Sequence, residues 1–352
     1  MLILILFSFL LYYFLSVYYF ETLKGQDKER FLVLTFAVVA VIIGIRNPLS
    51  WSDTGVYYME FVENVKPLSA TSSYDRPLNY SEMGFYYIGV ICKTFSNSPT
   101  FYFIVVSVLS MLFLYFGIKK YSIFPFIALY VYLGRFIGRN TVQIRAAIAI
   151  AIVIWGTVYV TKRKLWKYLL VVYIASRFHT SAYMAFPLYF MGYVNVKRWH
   201  VYVGTLFALL IAVVFGGAIH DMLSQSDLAN EWARSYVEED SEKAYSNSLS
   251  NPVIWYQIVI LFMWTVFEKR LSPMTEHYYT IRNAYFYSTV LLIVLYQFAI
   301  LAGRTSTIFA TYEMLMIPMF PLLLPKGNRN MAYWGIGLFY AEFMLLNIKK
   351  FV

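Results

Sequence analysis

Hydrophobic residues occur along the chain in long runs separated by short polar segments, and this pattern predicts membrane-spanning helices. A span needs roughly 20 apolar residues, and fewer where one end of the helix lies in a polar cavity. A shorter apolar stretch at 83–95 predicts an interfacial or half-inserted helix. The pattern therefore predicts an all-α polytopic membrane protein with twelve spans, at residues 2–20, 31–45, 99–118, 123–138, 143–160, 165–180, 181–196, 201–219, 253–267, 284–301, 308–324 and 331–347.

The composition excludes an ordinary soluble domain. The 352 residues are 60% hydrophobic and 14% charged, whereas soluble domains carry about 25% charged residues. So apolar a chain cannot cover itself with a polar surface, and we expect residues 1–352 to form one integral membrane domain. Cys92 is the single cysteine, so neither an internal disulfide nor a cysteine-based metal site is expected.

The basic residues predict the orientation of the chain. Clusters of Lys and Arg follow every second predicted span, which places those loops in the cytoplasm. The net charge of +10 therefore serves membrane orientation, and we expect no nucleic acid partner. The opposite, extracytoplasmic side contains two long loops, 46–98 and 220–252, and the polar segment within the second loop is expected either to cap a cavity or to form a solvated linker.

The extracytoplasmic side is rich in arginine. The planar guanidinium fork of Arg suits carboxylates and phosphates, so this side is expected to hold an anionic site. A diphosphate is a natural counter-ion for the three arginines clustered between 135 and 145, although pairing with distant acids or snorkelling would also satisfy them. The candidate ligands are Arg46, Arg135, Arg139, Arg145, Arg177 and Arg304.

Three residues are candidates for proton transfer at the same side. Asp53 and Glu82 each lie at the start of a predicted short helix, where a carboxylate is also favoured simply by the helix N-terminus. His179 lies beside Arg177 in an apolar run that is too long for one span. A histidine in such company at a helix break is a candidate base, whereas an isolated histidine is more often structural.

Several motifs of soluble transferases are missing from the sequence. It contains no Gly-rich phosphate loop, no HExxH and no Asp-x-Asp pair, and its predicted cytoplasmic loops are too small for a nucleotide-binding domain. Any donor is therefore expected to be linked to a lipid and presented outside the membrane.

Five short motifs occur in a distinctive order: Arg46 followed by SDTGVY (52–57), EMGF (82–85), QIRAAIA (143–149), FHTSA (178–182) and GR (303–304). This ordered set resembles the EpsG-like branch of the Wzy-type O-antigen and exopolysaccharide polymerases of bacteria. The resemblance implies a membrane glycosyltransferase with a GT-C-like fold in the bacterial inner membrane, with its active site facing the periplasm.

The resemblance also implies a reaction and partners. A growing glycan would move from one undecaprenyl diphosphate onto a second lipid-linked repeat unit, without a cofactor, and the arginines would hold the diphosphates in place of a metal. One of Asp53, Glu82 and His179 would deprotonate the attacking hydroxyl. Membrane lipids and a chain-length regulator are the other expected partners.

Other functions remain open at this point. A membrane acyltransferase that decorates glycans also uses a histidine and arginines, although it needs an acyl donor from the cytoplasm. A flippase for lipid-linked sugars needs only a cationic cavity, and a ligase that joins glycan to lipid shares most of the polymerase chemistry.

Overall fold

The computed structural model describes residues 2–50, 52–71, 82–191, 196–225 and 248–349. These ranges contain helices and turns and no β-strand, which confirms the predicted all-α class. The helices are α1 Leu2–Tyr18, α2 Gly25–Gly44, α3 Ser52–Glu63, α4 Met83–Phe95, α5 Pro99–Tyr121, α6 Pro125–Thr141, α7 Ile144–Gly156, α8 Val158–Thr161, α9 Leu165–Ser176, α10 Pro187–Met191, α11 Arg198–Gln225, α12 Pro252–Val266, α13 Glu268–Leu271, α14 Tyr278–Val294, α15 Ala299–Ala310, α16 Glu313–Met316 and α17 Arg329–Lys349.

Within the described ranges, six helical segments are long and apolar enough to cross a membrane, and two shorter apolar helices, α9 and α12, accompany them. Large apolar side chains on the membrane-length helices are exposed, such as Ile3 on α1 and Val213 on α11. Exposed apolar surface of this extent requires lipid, so the chain is a multi-pass membrane protein. The six segments are Ile3–Thr22, Pro99–Tyr121, Ile144–Thr161, Arg198–Ala218, Leu301–Leu323 and Lys326–Ile348.

The predicted helix boundaries fail in two places. The run predicted as spans 165–180 and 181–196 forms α9, which ends at Ser176, then a 3-10 segment Thr180–Ala185 and the short α10. The polar residues around His179 interrupt the apolar pattern there, and Pro187 starts a new helix. The predicted span 284–301 is likewise divided, because α14 ends at Val294 and α15 begins at Ala299.

The described residues divide into two compact units. The first unit comprises Met1–Tyr183 with Met314–Val352. In it α5 packs between α2 and α7, α7 packs on α9, and α6 packs on α1 and α17. Glycines permit these close approaches: a Cβ on Gly44 would lie 2.6 Å from the Ile104 Cα, and one on Gly134 would lie 2.7 Å from the Tyr340 carbonyl oxygen.

A distant carboxylate caps the start of α6. The Glu21 Oε1 accepts hydrogen bonds from the backbone N–H groups of Phe126 at 2.8 Å and Ile127 at 3.2 Å. The Lys28 Nζ neutralises the same carboxylate at 2.8 Å. The first turn of α6 would otherwise leave its N–H groups without partners, so Glu21 stabilises α6 and joins it to the α1–α2 hairpin.

The second unit comprises Met184–Glu313. The helix α14 packs on α10, α11, α12 and α15. Residues 226–247 of the predicted loop 220–252 lie outside the described residues, and α11 continues to Gln225. The buried core of this unit consists of Ala208, Ala212, Ile254, Ile258, Leu292, Ile293 and Ala302.

Candidate functional site

The helix α3, which carries the first motif, is fixed to the end of α6. The Thr54 hydroxyl is fully buried and donates to the Thr141 carbonyl oxygen at 2.5 Å. The Arg46 Nη2 donates to the same oxygen at 3.1 Å. Two side chains from the first motif therefore share one backbone acceptor, and this arrangement sets the position of α3.

Arg46 makes further contacts of a structural kind. Its Nη1 donates to the Ile43 carbonyl at 2.6 Å, and the guanidinium lies 5.3 Å from the centre of the Phe103 ring. These contacts cap the end of α2. The predicted role of Arg46 as a diphosphate ligand stays a prediction.

Four residues, one from each of four sequence motifs, are connected by hydrogen bonds. We call them the Glu82 cluster: Tyr57, Glu82, Arg145 and Thr180. The Arg145 Nη1 donates to the Glu82 Oε2 at 2.5 Å, and its Nε donates to the Tyr57 hydroxyl at 3.0 Å. The backbone N–H of Thr180 donates to the Glu82 Oε1 at 3.2 Å. The structure thus brings together segments that lie up to 123 residues apart in the sequence, from position 57 to position 180.

Glu82 has a different role from that of a simple helix cap. It occupies the N-cap position of α4, but its side chain makes no capping hydrogen bond. The carboxylate turns instead to Arg145 and Thr180 and is 96% buried, since only 4% of the residue is exposed. A buried carboxylate requires hydrogen-bonding or charged partners. One of these partners, the Arg145 side chain, is 23% exposed. The ion pair is therefore accessible on its arginine side.

Tyr57 completes the cluster as a protonated phenol. Burial raises the pKa of the Tyr57 phenol above its ordinary value, and the nearby Asp53 carboxylate acts in the same direction, while Arg145 opposes both. The neutral hydroxyl accepts from Arg145 and keeps its own proton to donate. Its ring packs edge-on against Phe85, with 5.6 Å between the ring centres, so α3 and α4 meet at this residue.

Close backbone contact joins the second and fourth motifs. The N–H groups of Gly84 and Phe85 donate to the Arg177 carbonyl oxygen at 2.7 Å and 3.3 Å. A Cβ on Gly84 would lie 2.6 Å from that oxygen. A glycine is therefore required at position 84, and it lets the start of α4 seat directly on the turn that carries His179.

His179 is buried and held within its own turn. The N–H of Ser181 donates to the His179 Nδ1 at 3.2 Å, and the Ser181 hydroxyl lies 2.7 Å from the same nitrogen. A nitrogen that accepts a backbone N–H carries a lone pair, so the proton of the neutral ring resides on Nε2. Because Thr180 donates to Glu82, the turn places His179 next to the Glu82 cluster.

The Arg177 side chain retains hydrogen-bonding capacity. Its Nη2 donates to the Tyr183 hydroxyl at 2.8 Å, and its guanidinium lies 4.7 Å from the centre of the Tyr173 ring. Its Nε is buried and has no hydrogen-bond partner within the described part of the chain. Arg177 therefore has an N–H group that can donate to an anion, and it lies two residues before His179. Both features agree with the predicted anionic site.

Arg135 and Arg139 lie on α6 against aromatic rings. The Arg139 guanidinium is 4.0 Å from the centre of the Phe136 ring, and that of Arg135 is 4.4 Å from the Phe343 ring. Stacking of this kind holds a guanidinium plane in place. The predicted role of both arginines as diphosphate ligands stays a prediction.

Arg304 and Glu313 lie in the second unit. Arg304 is half-buried on α15. Glu313 accepts hydrogen bonds from the Tyr256 hydroxyl at 2.7 Å and the Tyr285 hydroxyl at 3.5 Å. The role of Arg304 as a ligand stays a prediction, as does that of Asp53, which is exposed on α3.

Glu60 is a buried acidic residue outside the predicted set of site residues. It lies on α3 with 7% of its surface exposed, three residues after Tyr57. No motif marks it, but its spacing from Asp53 and Tyr57 along one face of a helix is a signal that could have identified it.

The model of the EpsG family matches residues 29–351, which is nearly the whole chain. Neither a curated protein nor a solved structure matches the chain. The family match covers all five sequence motifs and every residue of the Glu82 cluster.

Proposed function

Because the chain belongs to the EpsG family, and is thus a membrane protein of the polysaccharide-polymerase type, we propose that it is a glycosyltransferase. It moves a growing glycan from one undecaprenyl diphosphate onto a second lipid-linked repeat unit, as O-antigen and exopolysaccharide polymerases do. The reaction takes place at the periplasmic face of the bacterial inner membrane. The observation that carries the proposal is the meeting of four ordered motifs in the Glu82 cluster.

Arginine suits the leaving group of this reaction. When the bond between the donor sugar and the diphosphate breaks, negative charge develops on the diphosphate, and preorganised cations stabilise that charge. Arg145 is held by Glu82 and Tyr57 while part of its side chain stays exposed. Arg177 offers a buried Nε that the described residues leave without a hydrogen-bond partner. These two arginines are our first candidates, and Arg135, Arg139 and Arg304 remain further ones.

His179 is our candidate for the general base. The acceptor hydroxyl oxygen forms a bond to the anomeric carbon of the donor sugar, the bond from that carbon to the diphosphate breaks, and the hydroxyl proton passes to the imidazole. The Ser181 N–H, 3.2 Å from the His179 Nδ1, keeps the ring proton on Nε2. The Ser181 hydroxyl lies 2.7 Å from Nδ1, so it can give its own proton to that nitrogen while it takes the proton of the acceptor hydroxyl. Both oxygens of Glu82 are engaged by Arg145 and Thr180, so we assign Glu82 to orienting Arg145.

The test is a glycan gel from a strain deleted for this gene and complemented with wild type, His179→Ala or His200→Ala. His200 is the matched control, because its Nδ1 also accepts a local backbone N–H, that of Lys197 at 2.8 Å, but it lies at the start of α11. We expect wild type and His200→Ala to restore the polymer ladder. His179→Ala should lower polymer yield by about 10²–10⁴-fold, the usual contribution of a general base.

Two outcomes would contradict this reading. Restoration of the ladder by His179→Ala would move the base to Asp53 or Glu82 and leave the polymerase in place. A deletion strain whose exported polymers are all unchanged would overturn the polymerase, and acetylated sugar lost on deletion would identify an acyltransferase instead.

A further inference from the structure

Glu60 is a buried carboxylate that the chemistry above does not use. Only 7% of the residue is exposed. Its Oε2 accepts a hydrogen bond from the Asn64 Nδ2 at 2.9 Å. Its Oε1 is buried, and no residue in the described ranges donates a hydrogen bond to it. Such an oxygen is rare in a folded protein, and this makes Glu60 a candidate acceptor for a ligand.

The position of Glu60 connects it to the Glu82 cluster. Tyr57 and Glu60 lie three residues apart on α3 and therefore share a face, separated by about 4.5 Å along the helix axis. Tyr57 accepts from Arg145. The next residue, Phe61, stacks on Tyr102 with ring centres 4.6 Å apart. Glu60 thus lies one helical turn beyond the cluster, on the buried side of α3.

Both ends of α3 are held, so the Glu60 carboxylate has a fixed place. Thr54 donates to the Thr141 carbonyl near the start of the helix. Near its end, the Lys93 Nζ donates to the carbonyl oxygens of Phe61 at 3.0 Å and Val62 at 3.3 Å. A pre-positioned acceptor binds a ligand at a lower entropic cost than a mobile one.

We propose that the Glu60 Oε1 accepts hydrogen bonds from hydroxyl groups of the acceptor sugar and positions that sugar beside the Glu82 cluster. The inference rests on the proposed function. A carboxylate repels a diphosphate and attracts a neutral ligand rich in donors, which a sugar is.

The experiment compares purified full-length wild type, Glu60→Gln and Glu63→Gln. Glu63 is the matched control, because it is an exposed glutamate near the end of the same helix. The probe is the lipid-linked repeat unit extracted from the deletion strain. Two quantities are measured as the probe concentration rises: the rate of chain elongation, and the thermal unfolding midpoint of each protein in detergent.

For Glu60→Gln we expect the probe concentration at half-maximal rate to rise by about tenfold, the usual effect of losing one hydrogen bond to a charged group. Without probe, its unfolding midpoint should equal or exceed that of wild type, because a buried charge has been removed. With probe, its midpoint should rise less than that of wild type. Glu63→Gln should match wild type throughout.

Each other outcome identifies what fails. If Glu60→Gln elongates and binds the probe as Glu63→Gln does, or if its midpoint falls without probe, Glu60 is structural and the inference is overturned. If wild type is stabilised by the probe but does not elongate it, the proposed function fails, while a smaller shift for Glu60→Gln still supports the sugar site. If wild type is neither stabilised by the probe nor active on it, both proposals fall.

Discussion

Among the described residues, the Arg282–Glu268 and Arg145–Glu82 ion pairs have similar geometry and different surroundings. In the second unit, the Arg282 Nη1 donates to Glu268 at 2.7 Å, and in the first unit, the Arg145 Nη1 donates to Glu82 at 2.5 Å. The Arg282 side chain is fully buried and also donates to the Val196 carbonyl. The Arg145 side chain is 23% exposed.

Under the proposed function, this difference separates a structural pair from one that can bind a ligand. Arg282 has a third acceptor in the Asn283 Oδ1, at 3.4 Å from its Nε. Arg198 adds a second cation at 3.4 Å from the Glu268 carboxylate. A fully enclosed guanidinium cannot exchange these partners for a ligand. A partly exposed arginine in such a pair can exchange a partner for a ligand. Exposure rather than pairing therefore makes Arg145 the candidate to bind an anion.

The largest effect is expected for Arg282→Ala. Loss of the fully buried guanidinium leaves the Val196 carbonyl without this donor and leaves Arg198 as the remaining cation on Glu268, which should cost about 3 kcal/mol of unfolding free energy. The thermal unfolding midpoint and the protein yield in detergent measure this loss. Arg270→Ala, at an exposed position nearby, should stay within about 0.5 kcal/mol of wild type. Equal midpoints for the two variants would show that the Arg282 pair is not structural.

Arg145→Lys should lower activity while leaving stability almost unchanged. The ammonium keeps the pair with Glu82, so the unfolding midpoint should stay close to that of wild type. A point charge cannot reproduce the fork that reaches both Glu82 and Tyr57, and elongation should fall about a hundredfold, or about 2.7 kcal/mol. The control is Arg30→Lys, at an exposed position. Full elongation by Arg145→Lys would show that the fork is dispensable.

The smallest effect is expected for Gly84→Ala, which tests the contact between the start of α4 and the Arg177 backbone. In Gly84→Ala the new Cβ would lie 2.6 Å from the Arg177 carbonyl oxygen, and displacing this packed backbone should cost about 1–3 kcal/mol. Gly55→Ala is the control, because a Cβ there meets no atom within 4 Å, and alanine favours a helix. Unfolding midpoints measure both variants, and a midpoint for Gly84→Ala as high as that for Gly55→Ala would mean that α4 tolerates a shift.

The all-α membrane fold could be predicted from the sequence, because long apolar runs have few alternatives in lipid. The helix break after Ser176 could not be placed correctly, because apolar residues continue on both sides of the polar turn and mask it. The charge pattern gives no sign that Arg282 is fully buried and paired with Glu268, as the structure shows. Enclosure depends on helix packing, which a single sequence does not reveal.

The candidate site was partly accessible from the sequence. Glu82, Arg145 and the His179 turn were selected separately, and the structure shows that Glu82 contacts both Arg145 and the backbone of that turn. Their mutual contacts span three separate stretches of chain, so no local pattern predicts them. Glu60 was overlooked because an isolated acid in a polar helix looks like a solvated one until its burial is known.

The cap that Glu21 provides for α6 has a consequence for the order in which the chain is inserted into the membrane. The chain is synthesised from its N-terminus, so Glu21 emerges 105 residues before the Phe126 N–H that it accepts. The acceptor is therefore already in place when α6 enters the bilayer, where a bare N–H is costly. The α1–α2 hairpin thus acts as a template on which a later helix assembles, and truncating it should impair insertion of α6 rather than transfer chemistry.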